Sequence, residues 1–458
     1  MSDDLERDLG LYSVVAISMG AMIGSGIFVL PALGFKKAGP AVIVAYVLAG
    51  VVVLPAALSK AEMATAMPES GGTYLYIDRA MGPLAGTVAG IGAWFSLVFK
   101  SSFALVGLGA YLLLFVSLPA GAVKLVALGL AALIVVLNIV GTEQSGKLQA
   151  IIVTVVVAAL AVYVVGGGVN LEPARFQPFT TQGSAGIVTA AAFVFVSYAG
   201  VTKIASVAEE VEDPGRNIPL GILGSMGIMM VLYAAVVAVV VGLNAPEVLT
   251  KSGPGGGVSL TPMADGAGVV LGSVGVVGIS VVAVLALTSM ANAGVLASSR
   301  FPLAMSRDSL LPKRFTRIDP RFKTPRAAIT LTGTLLLGLI AFVPVVELAK
   351  LASAFQILVF AIVNVALIAF RMSDAEMYQP TFTAPGYPYV QVVGIFGGLA
   401  LLTQMGTFPI LGAVGIIVGG VAWYWVYGRA RTDRVGALSL VVQRRRDGVS
   451  ETGQIEPE

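Results

Sequence analysis

Long apolar runs alternate along the chain with short segments rich in glycine, proline and charged residues. A helix rises about 1.5 Å per residue, so a run of roughly 20 apolar residues can cross the hydrocarbon core of a bilayer. No run alternates apolar and polar positions as a half-buried strand does. The pattern predicts twelve transmembrane helices, at approximately residues 10–35, 39–66, 83–118, 123–141, 146–167, 184–211, 217–243, 267–306, 326–346, 350–371, 389–405 and 408–428.

The composition supports this interpretation. The chain is 57% hydrophobic and only 12% charged, whereas ordinary soluble domains are roughly 25% charged. It contains no cysteine and no histidine, which excludes disulfides, thiolate nucleophiles and most zinc chemistry. We therefore expect an all-α polytopic membrane protein that is not an enzyme. Residues 1–429 are predicted to form one transmembrane domain, and residues 430–458 a charged, disordered cytoplasmic tail.

The distribution of lysine and arginine predicts an orientation. If the N-terminus is cytoplasmic and twelve helices alternate, 20 of the 28 basic residues fall in cytoplasmic segments and 6 in outside segments. This bias agrees with the positive-inside rule. Both termini are therefore expected in the cytoplasm, in a multi-pass protein of the plasma membrane.

Two predicted helices carry irregular patches near their centres. Helix 1 contains GAMIGSGIF at 20–28, and helix 6 contains FVSYAGVTK at 195–203. Glycine costs about 1 kcal/mol relative to alanine inside a helix, and unpaired backbone at membrane depth is tolerated only in a cavity or inside protein. Two interrupted helices five spans apart indicate an inverted-repeat transporter with a midplane binding site. The alternative is that these glycines only permit close helix packing.

Four segments carry a family resemblance: GAMIGSGIFVLP in helix 1, MPESGGTYLYIDRAMGP at 67–83, SYAGVTKIASVAEEVEDPGRNIP at 197–219 and SSRFPLAMSRDSLLP at 298–312. Together they resemble the amino acid–polyamine–organocation (APC) superfamily and cover nearly the whole chain. The resemblance implies a leucine-transporter-type fold in which helices 1–5 (10–167) and 6–10 (184–371) form inverted repeats. Two further helices (389–428) follow, and transport proceeds by alternating access.

The resemblance also implies a substrate site at the two interruptions. The substrate carboxylate would meet backbone N–H groups of Ser25, Gly26 and Ile27, where the dipole of the outer half of helix 1 favours an anion. The substrate ammonium would meet free carbonyls of both helices, and Tyr198 occupies a position where the family often has a gating aromatic. The implied site comprises Ala21, Met22, Ile23, Ser25, Gly26, Ile27, Phe195, Val196, Tyr198, Ala199, Gly200 and Thr202.

Two lysines lie inside predicted spans, Lys100 in helix 3 and Lys203 in helix 6. A charge at the bilayer centre costs about 2.5–3.5 kcal/mol on insertion scales, so both are candidates for carrying a coupling proton. Lys100 could instead extend its ammonium to the membrane surface. Lys203 could instead form an ion pair with Glu209 or Glu210.

Sodium is the other candidate coupling ion. Proton-coupled members of the family often have a lysine in helix 5, but the matching residue here is Val156. The wider fold implies a Na⁺ site formed by carbonyls of Gly20 and Ile23 with the hydroxyls of Thr288 and Ser289. Such hydroxyls can instead bond their own helix backbone.

The sequence and the resemblance together lead us to expect a secondary active transporter of a neutral or acidic amino acid, coupled to H⁺ or Na⁺, with no other cofactor and no nucleic-acid partner. The alternatives are an amino acid exchanger, or a transporter of a polyamine or an inorganic ion. A polyamine site should present a mid-membrane carboxylate, where this chain has Thr202. Neither a pore-loop pattern typical of a channel nor the clustered carboxylates of a membrane enzyme is visible.

Overall fold

The computed structural model describes residues 9–68, 72–116, 122–141, 146–201, 203–206, 208–373, 378–432 and 434–439. Regular structure in these residues is helical. Extended pairing within them is confined to two isolated bridges, Leu9 with Val211 and Gly253 with Gly257. The described chain is therefore all-α, as its apolar runs predict.

Helices follow one another in chain order with short connections. The first half contains α1 (Leu11–Met22), α2 (Ser25–Phe28), α3 (Leu30–Ala38), α4 (Val42–Ala66), α5 (Gly72–Met81), α6 (Pro83–Leu112), α7 (Ala122–Val140), α8 (Gly146–Gly168) and α9 (Gly183–Val194). The second half contains α10 (Pro214–Leu243), α11 (Pro246–Lys251), α12 (Pro262–Arg307), α13 (Arg326–Phe342), α14 (Val345–Ser373), α15 (Tyr389–Leu402) and α16 (Thr407–Trp423).

Nine segments of the described chain are long and apolar enough to cross a membrane. Three shorter apolar helices, Leu11–Met22, Arg326–Phe342 and Tyr389–Met405, lie where further spans are predicted. The molecule is thus a multi-pass membrane protein. The count of twelve transmembrane helices and the two inverted repeats stay predictions.

Two helices differ in detail from the apolar pattern. The helical conformation of α9 changes at Phe195 into 3₁₀ turns, so the second half of helix 6 is not a regular α-helix. The 46-residue helix α12 starts before the predicted residue 267, and Gly272 inside it has φ 55° and ψ −140°. A positive φ of this kind favours glycine, which explains why the chain can bend there.

The packing places helices 1 and 6 in the interior. Helix α6 lies along α12 and α14, α4 lies along α10, and α1 contacts α8 and α10. The segment 195–200 that follows α9 contacts α1, α4 and α14. The two interrupted helices are therefore surrounded by other helices, where irregular backbone is tolerated.

A buried ion pair fixes the connection after α14. The carboxylate of Glu62 on α4 is fully buried and accepts two bonds from Arg371, at 2.8 and 2.6 Å. It also accepts a bond from the Tyr378 hydroxyl at 2.9 Å and one from the Ala384 amide at 2.6 Å. Four donors satisfy this carboxylate, as a buried charge requires.

The start of the C-terminal tail is ordered, in contrast to the disorder expected from residue 430. Arg434 lies 3.4 Å from the Asp78 carboxylate on α5 and 2.5 Å from Asp308. Gly436 packs against the backbone of Met81 and Gly82 so closely that a Cβ atom there would overlap it. Ion pairs and close backbone contact therefore hold residues 434–439 on the body. Residues 440–458 lie outside the described residues.

Candidate functional site

Helix 1 is interrupted where the glycines predict. Helix α1 ends at Met22, Ile23 is extended, and α2 starts at Ser25; we call Ile23–Gly24 the helix 1 break. The Ser25 amide donates to the thioether sulfur of Met290 on α12 at 3.3 Å. A Cβ atom on Gly24 would overlap the same sulfur, so glycine at this position permits the contact.

Helix 6 is interrupted at the corresponding point. Residues Phe195–Gly200 form a 3₁₀ segment, which we call the helix 6 break. The amide of Val196 donates to Ser353 Oγ at 3.1 Å, and that hydroxyl donates to the Phe193 carbonyl at 2.8 Å. A side chain of α14 therefore satisfies backbone groups that a continuous helix would satisfy itself.

The two breaks pack directly against each other. A Cβ atom on Gly26 would lie 2.7 Å from Ser197 Oγ and 3.0 Å from Ser197 Cα. A Cβ atom on Gly200 would lie 2.6 Å from the Met22 nitrogen and closer still to the Ala21 carbonyl. Glycine at both positions is thus required for the close approach of the two helices, as the packing interpretation of these residues expects.

The protein's own donors occupy the carbonyl groups at the breaks. The Lys100 ammonium donates to Ala21 O at 3.0 Å, and the Tyr46 hydroxyl donates to Gly26 O at 2.7 Å. The Tyr233 hydroxyl lies 2.8 Å from Met22 O and 3.0 Å from Ser197 O. The carbonyls expected to bind a substrate ammonium include Ala21 O and Met22 O, and both accept bonds from side chains of the protein itself.

The structure brings most of the implied substrate-site residues together at the breaks. Nine are buried: Met22, Ile23, Ser25, Gly26, Ile27, Phe195, Val196, Tyr198 and Gly200. Ala21 and Ala199 are partly exposed, and Thr202 lies outside the described residues. The Ile27 amide donates to Gly24 O at 3.0 Å, and the Tyr198 hydroxyl donates to Tyr46 O at 3.0 Å. In this conformation the expected gating aromatic therefore bonds helix α4.

The two lysines have different surroundings. Lys100 on α6 is 6% exposed, and its ammonium bonds the Ala21 carbonyl, so it does not extend to a membrane surface. Lys203 is half-buried in a 3₁₀ turn. Within the described chain it forms neither an ion pair nor a hydrogen bond, so the suggested pairing with Glu209 or Glu210 is not found.

Two of the residues implied as Na⁺ ligands, Gly20 and Ser289, contact Gln149. Gln149 on α8 lies between Gly20 and Ser289: its amide nitrogen is packed on Gly20, and its oxygen accepts from Ser289 Oγ at 2.9 Å. The side chain of Thr288 is exposed, although Ser289 is buried. Na⁺ requires converging oxygen ligands. Here an N–H donor stands beside Gly20 and only one of the two hydroxyl residues is buried, and the Na⁺ site stays a prediction.

Several residues at the breaks were missing from the sequence-based site: Tyr46, Gln149, Ser197, Tyr233 and Met290. Tyr233 interrupts a long apolar run, which is a signal that could have identified it, whereas Gln149 lies at the polar start of its helix and carries no such signal. Met290 is apolar within an apolar helix, so nothing in the sequence distinguishes it. Its role depends on the packing of α12 against the helix 1 break.

Comparison with known proteins gives matches along nearly the whole chain. A family model described as "Amino acid permease" matches residues 9–429. The branched-chain amino acid permease BcaP of Bacillus subtilis (strain 168) is 30% identical over 445 residues, covering 93% of this chain and 94% of the relative. The methylthioribose transporter of the same organism is 29% identical, covering 93% and 95%. The vacuolar cationic amino acid transporter 8 of Arabidopsis thaliana is 27% identical, covering 92% and 72%.

Proposed function

The chain belongs to the amino acid permease family, and from this premise we propose that it transports a neutral amino acid with an apolar side chain by alternating access, driven by protons. Its place as an amino acid transporter follows from the family. The substrate class, the coupling ion and the residues involved are our proposal. We further propose that it acts in the plasma membrane with both termini cytoplasmic, as the 20 cytoplasmic against 6 outside basic residues favour.

The observation that carries the proposal is the meeting of the two breaks. Backbone polar groups from both helices converge there, and side chains rather than helical neighbours satisfy them. The Ser25 amide bonds a thioether, which is a weak acceptor. A substrate carboxylate is a much stronger acceptor, so it would displace Met290 from the Ser25 amide, at the start of the segment Ser25, Gly26 and Ile27 proposed to bind it.

Surrounding side chains favour an apolar substrate. The ring of Phe99, which precedes Lys100 in the sequence, stacks on the ring of Phe355 with centroids 5.4 Å apart. The ring of Phe195 in the helix 6 break contacts that of Phe360, with centroids 5.9 Å apart. Aromatic and aliphatic walls with a few polar groups are typical of sites for apolar ligands. The relatives are named for different substrates, and the branched-chain amino acid permease among them supports the choice of an apolar side chain.

Proton coupling is assigned to Lys100. A bond from an ammonium to a carbonyl is charge-assisted and stronger than one from a neutral amine. Loss of the proton would therefore weaken the hold of Lys100 on Ala21 and loosen the helix 1 break. Binding and release of a proton can in this way be linked to opening and closing at the break.

The proposal is tested by uptake of radiolabelled leucine into proteoliposomes with an inward proton gradient. An excess of unlabelled isoleucine or valine should abolish uptake of the radiolabelled leucine, whereas an excess of glutamate, arginine or methylthioribose should leave this uptake unchanged. Inhibition by glutamate or arginine would contradict the neutral class. Absence of leucine uptake together with uptake of methylthioribose would contradict the amino acid substrate itself.

A further inference from the structure

One hydroxyl group joins the two breaks. Tyr233 lies near the middle of α10 and is completely buried. Its oxygen is 2.8 Å from Met22 O, at the helix 1 break, and 3.0 Å from Ser197 O, in the helix 6 break. A side chain of a third helix thus connects backbone carbonyls that lie 175 residues apart in sequence, from residue 22 to residue 197.

The two carbonyls compete for one proton. A tyrosine hydroxyl donates a single hydrogen, so it can satisfy only one of the two acceptors fully at any moment. The other carbonyl then receives no full bond from Tyr233. An ammonium group carries three N–H donors and can bond both oxygens at once. The arrangement is therefore better completed by an amine than by Tyr233.

Neighbouring aromatic rings hold the hydroxyl in position. The Tyr233 ring lies 5.4 Å from that of Tyr46 and 5.1 Å, edge to face, from that of Tyr198. Tyr46 is itself bonded to Gly26 O at 2.7 Å, so it is fixed to helix 1. This packing leaves the Tyr233 side chain pointing at the junction between the breaks.

We infer that Tyr233 stands in for the substrate ammonium when the transporter is closed and empty. Its hydroxyl clamps Met22 O to Ser197 O in that conformation, and the amine of an incoming amino acid takes over both carbonyls. Tyr233 is thus a positioning residue for the empty carrier. This inference rests on the proposed transport function and deepens it.

The clamp has a consequence for the transport cycle. In net uptake the empty carrier must return through a closed conformation without substrate, whereas in exchange it returns loaded. Tyr233 stabilises only the empty closed conformation. Removing its hydroxyl therefore slows the empty return and leaves the loaded return unchanged.

The test compares Tyr233→Phe with wild type in proteoliposomes, measuring net uptake of leucine into empty vesicles and exchange in vesicles preloaded with leucine. Net uptake should fall about five-fold, the effect of one hydrogen bond between neutral groups, while exchange stays at the wild-type rate. Tyr111→Phe is the matched control, because this buried hydroxyl donates to Phe28 O of helix 1 at 2.9 Å and its other backbone partners, Met263 and Ala264, lie on α12 rather than in helix 6. It should leave the ratio of net uptake to exchange unchanged. If Tyr233→Phe left the ratio of net uptake to exchange unaltered, whether or not both rates fell, the inference would be overturned.

A second measurement does not depend on transport. In Tyr233→Phe, hydrogen exchange of the substrate-free protein should become faster both in peptides covering 20–28 and in peptides covering 195–201. In Tyr111→Phe, exchange should not become faster at both breaks. Unchanged exchange at both breaks would overturn the clamp. If wild type moved no amino acid while Tyr233→Phe loosened both breaks, the clamp would stand and the proposed function would fail.

Discussion

The Lys100 ammonium lies 3.0 Å from the carbonyl oxygen of Ala21, so a charged side chain of helix α6 is bonded to the backbone beside the helix 1 break. Both groups lie in the interior of the helix assembly, and Lys100 is 6% exposed. A charge in this position is costly, so its presence indicates a functional role. The contact links the charge state of one side chain to the conformation of the break.

Lys100→Gln should abolish proton-driven accumulation of leucine, because the amide keeps a donor for Ala21 O but cannot take up a proton. Exchange between preloaded and external leucine should persist, because it needs no net proton movement. The measurement compares both activities in proteoliposomes with and without an inward proton gradient. Lys124→Gln, at an exposed lysine, is the control and should behave as wild type. If Lys100→Gln accumulated leucine as fully as wild type, another group would carry the proton, and Lys203 would be the next to test.

Replacing Na⁺ by choline at constant pH should leave wild-type uptake unchanged, since Gln149 fills the space between Gly20 and Ser289. Gln149→Glu exchanges the N–H donor for a second oxygen and should create a site at which Na⁺ raises the thermal unfolding midpoint. The control Gln404→Glu, at an exposed glutamine, should show no difference between the two salts. Uptake by wild type that requires a sodium gradient would contradict the assignment and restore the Na⁺ site implied by the family resemblance.

Glu62→Gln should lower the free energy of unfolding by about 3 kcal/mol, because it leaves Arg371 without its charged partner in a largely buried position. This is the lower end of the range for broken buried pairs, since the Arg371 side chain is 22% exposed. Thermal unfolding of the purified protein measures the loss. Glu347→Gln breaks the more exposed pair with Lys350 and should cost less than about 1 kcal/mol. Equal losses in the two variants would contradict the importance of the Glu62 network.

Arg434→Gln should destabilise the protein more at neutral pH than in acid. Burial raises the pKa of the Asp78 carboxyl above its ordinary value, Arg434 opposes that rise and Asp308 adds to it. The ionised carboxylate thus weakens the folded state, and Arg434 offsets part of this effect only while Asp78 is charged. As the pH falls through the raised pKa, Asp78 takes up a proton and the part of the Arg434 contribution that comes from the charged Asp78 is lost, whereas its contact with Asp308 is not changed by that protonation.

Unfolding midpoints of wild type and Arg434→Gln at about pH 7.5 and about pH 4.5 test this linkage. Arg431→Gln is the control, because Arg431 is exposed and its guanidinium lies over the Tyr427 ring, away from Asp78. An equal loss for Arg434→Gln at both pH values would contradict the linkage between Arg434 and the charge of Asp78.

Much of the architecture could be predicted because a bilayer imposes a minimum apolar length on each span. The helix 1 break was visible in the sequence because Gly24 and Gly26 interrupt such a run. The identities of the partners at the break were not visible. Met290 lies 265 residues from Ser25, and Gln149 lies 140 residues from Ser289, so these contacts depend on how the helices pack.

The contacts of residues 434–439 could not be predicted for a related reason. A charged, glycine-containing segment is typical of disorder, and Arg434 by itself gives no sign of a binding partner. Its partners, Asp78 on α5 and Asp308 at the end of α12, are distant in sequence and only the fold brings them together.

Leucine uptake by Gly200→Ala tests most directly whether transport requires the two breaks to close on each other, because closure as proposed brings the helix 6 break against the Ala21 carbonyl. A single added methyl group would overlap that carbonyl, whereas on Gly227 of α10 a Cβ atom meets nothing within 4 Å. We predict that Gly200→Ala still binds leucine, seen as a raised unfolding midpoint, but that its uptake falls to the level of empty vesicles. Gly227→Ala should transport as wild type does. Wild-type uptake by Gly200→Ala would contradict the claim that transport requires the two breaks to close on each other.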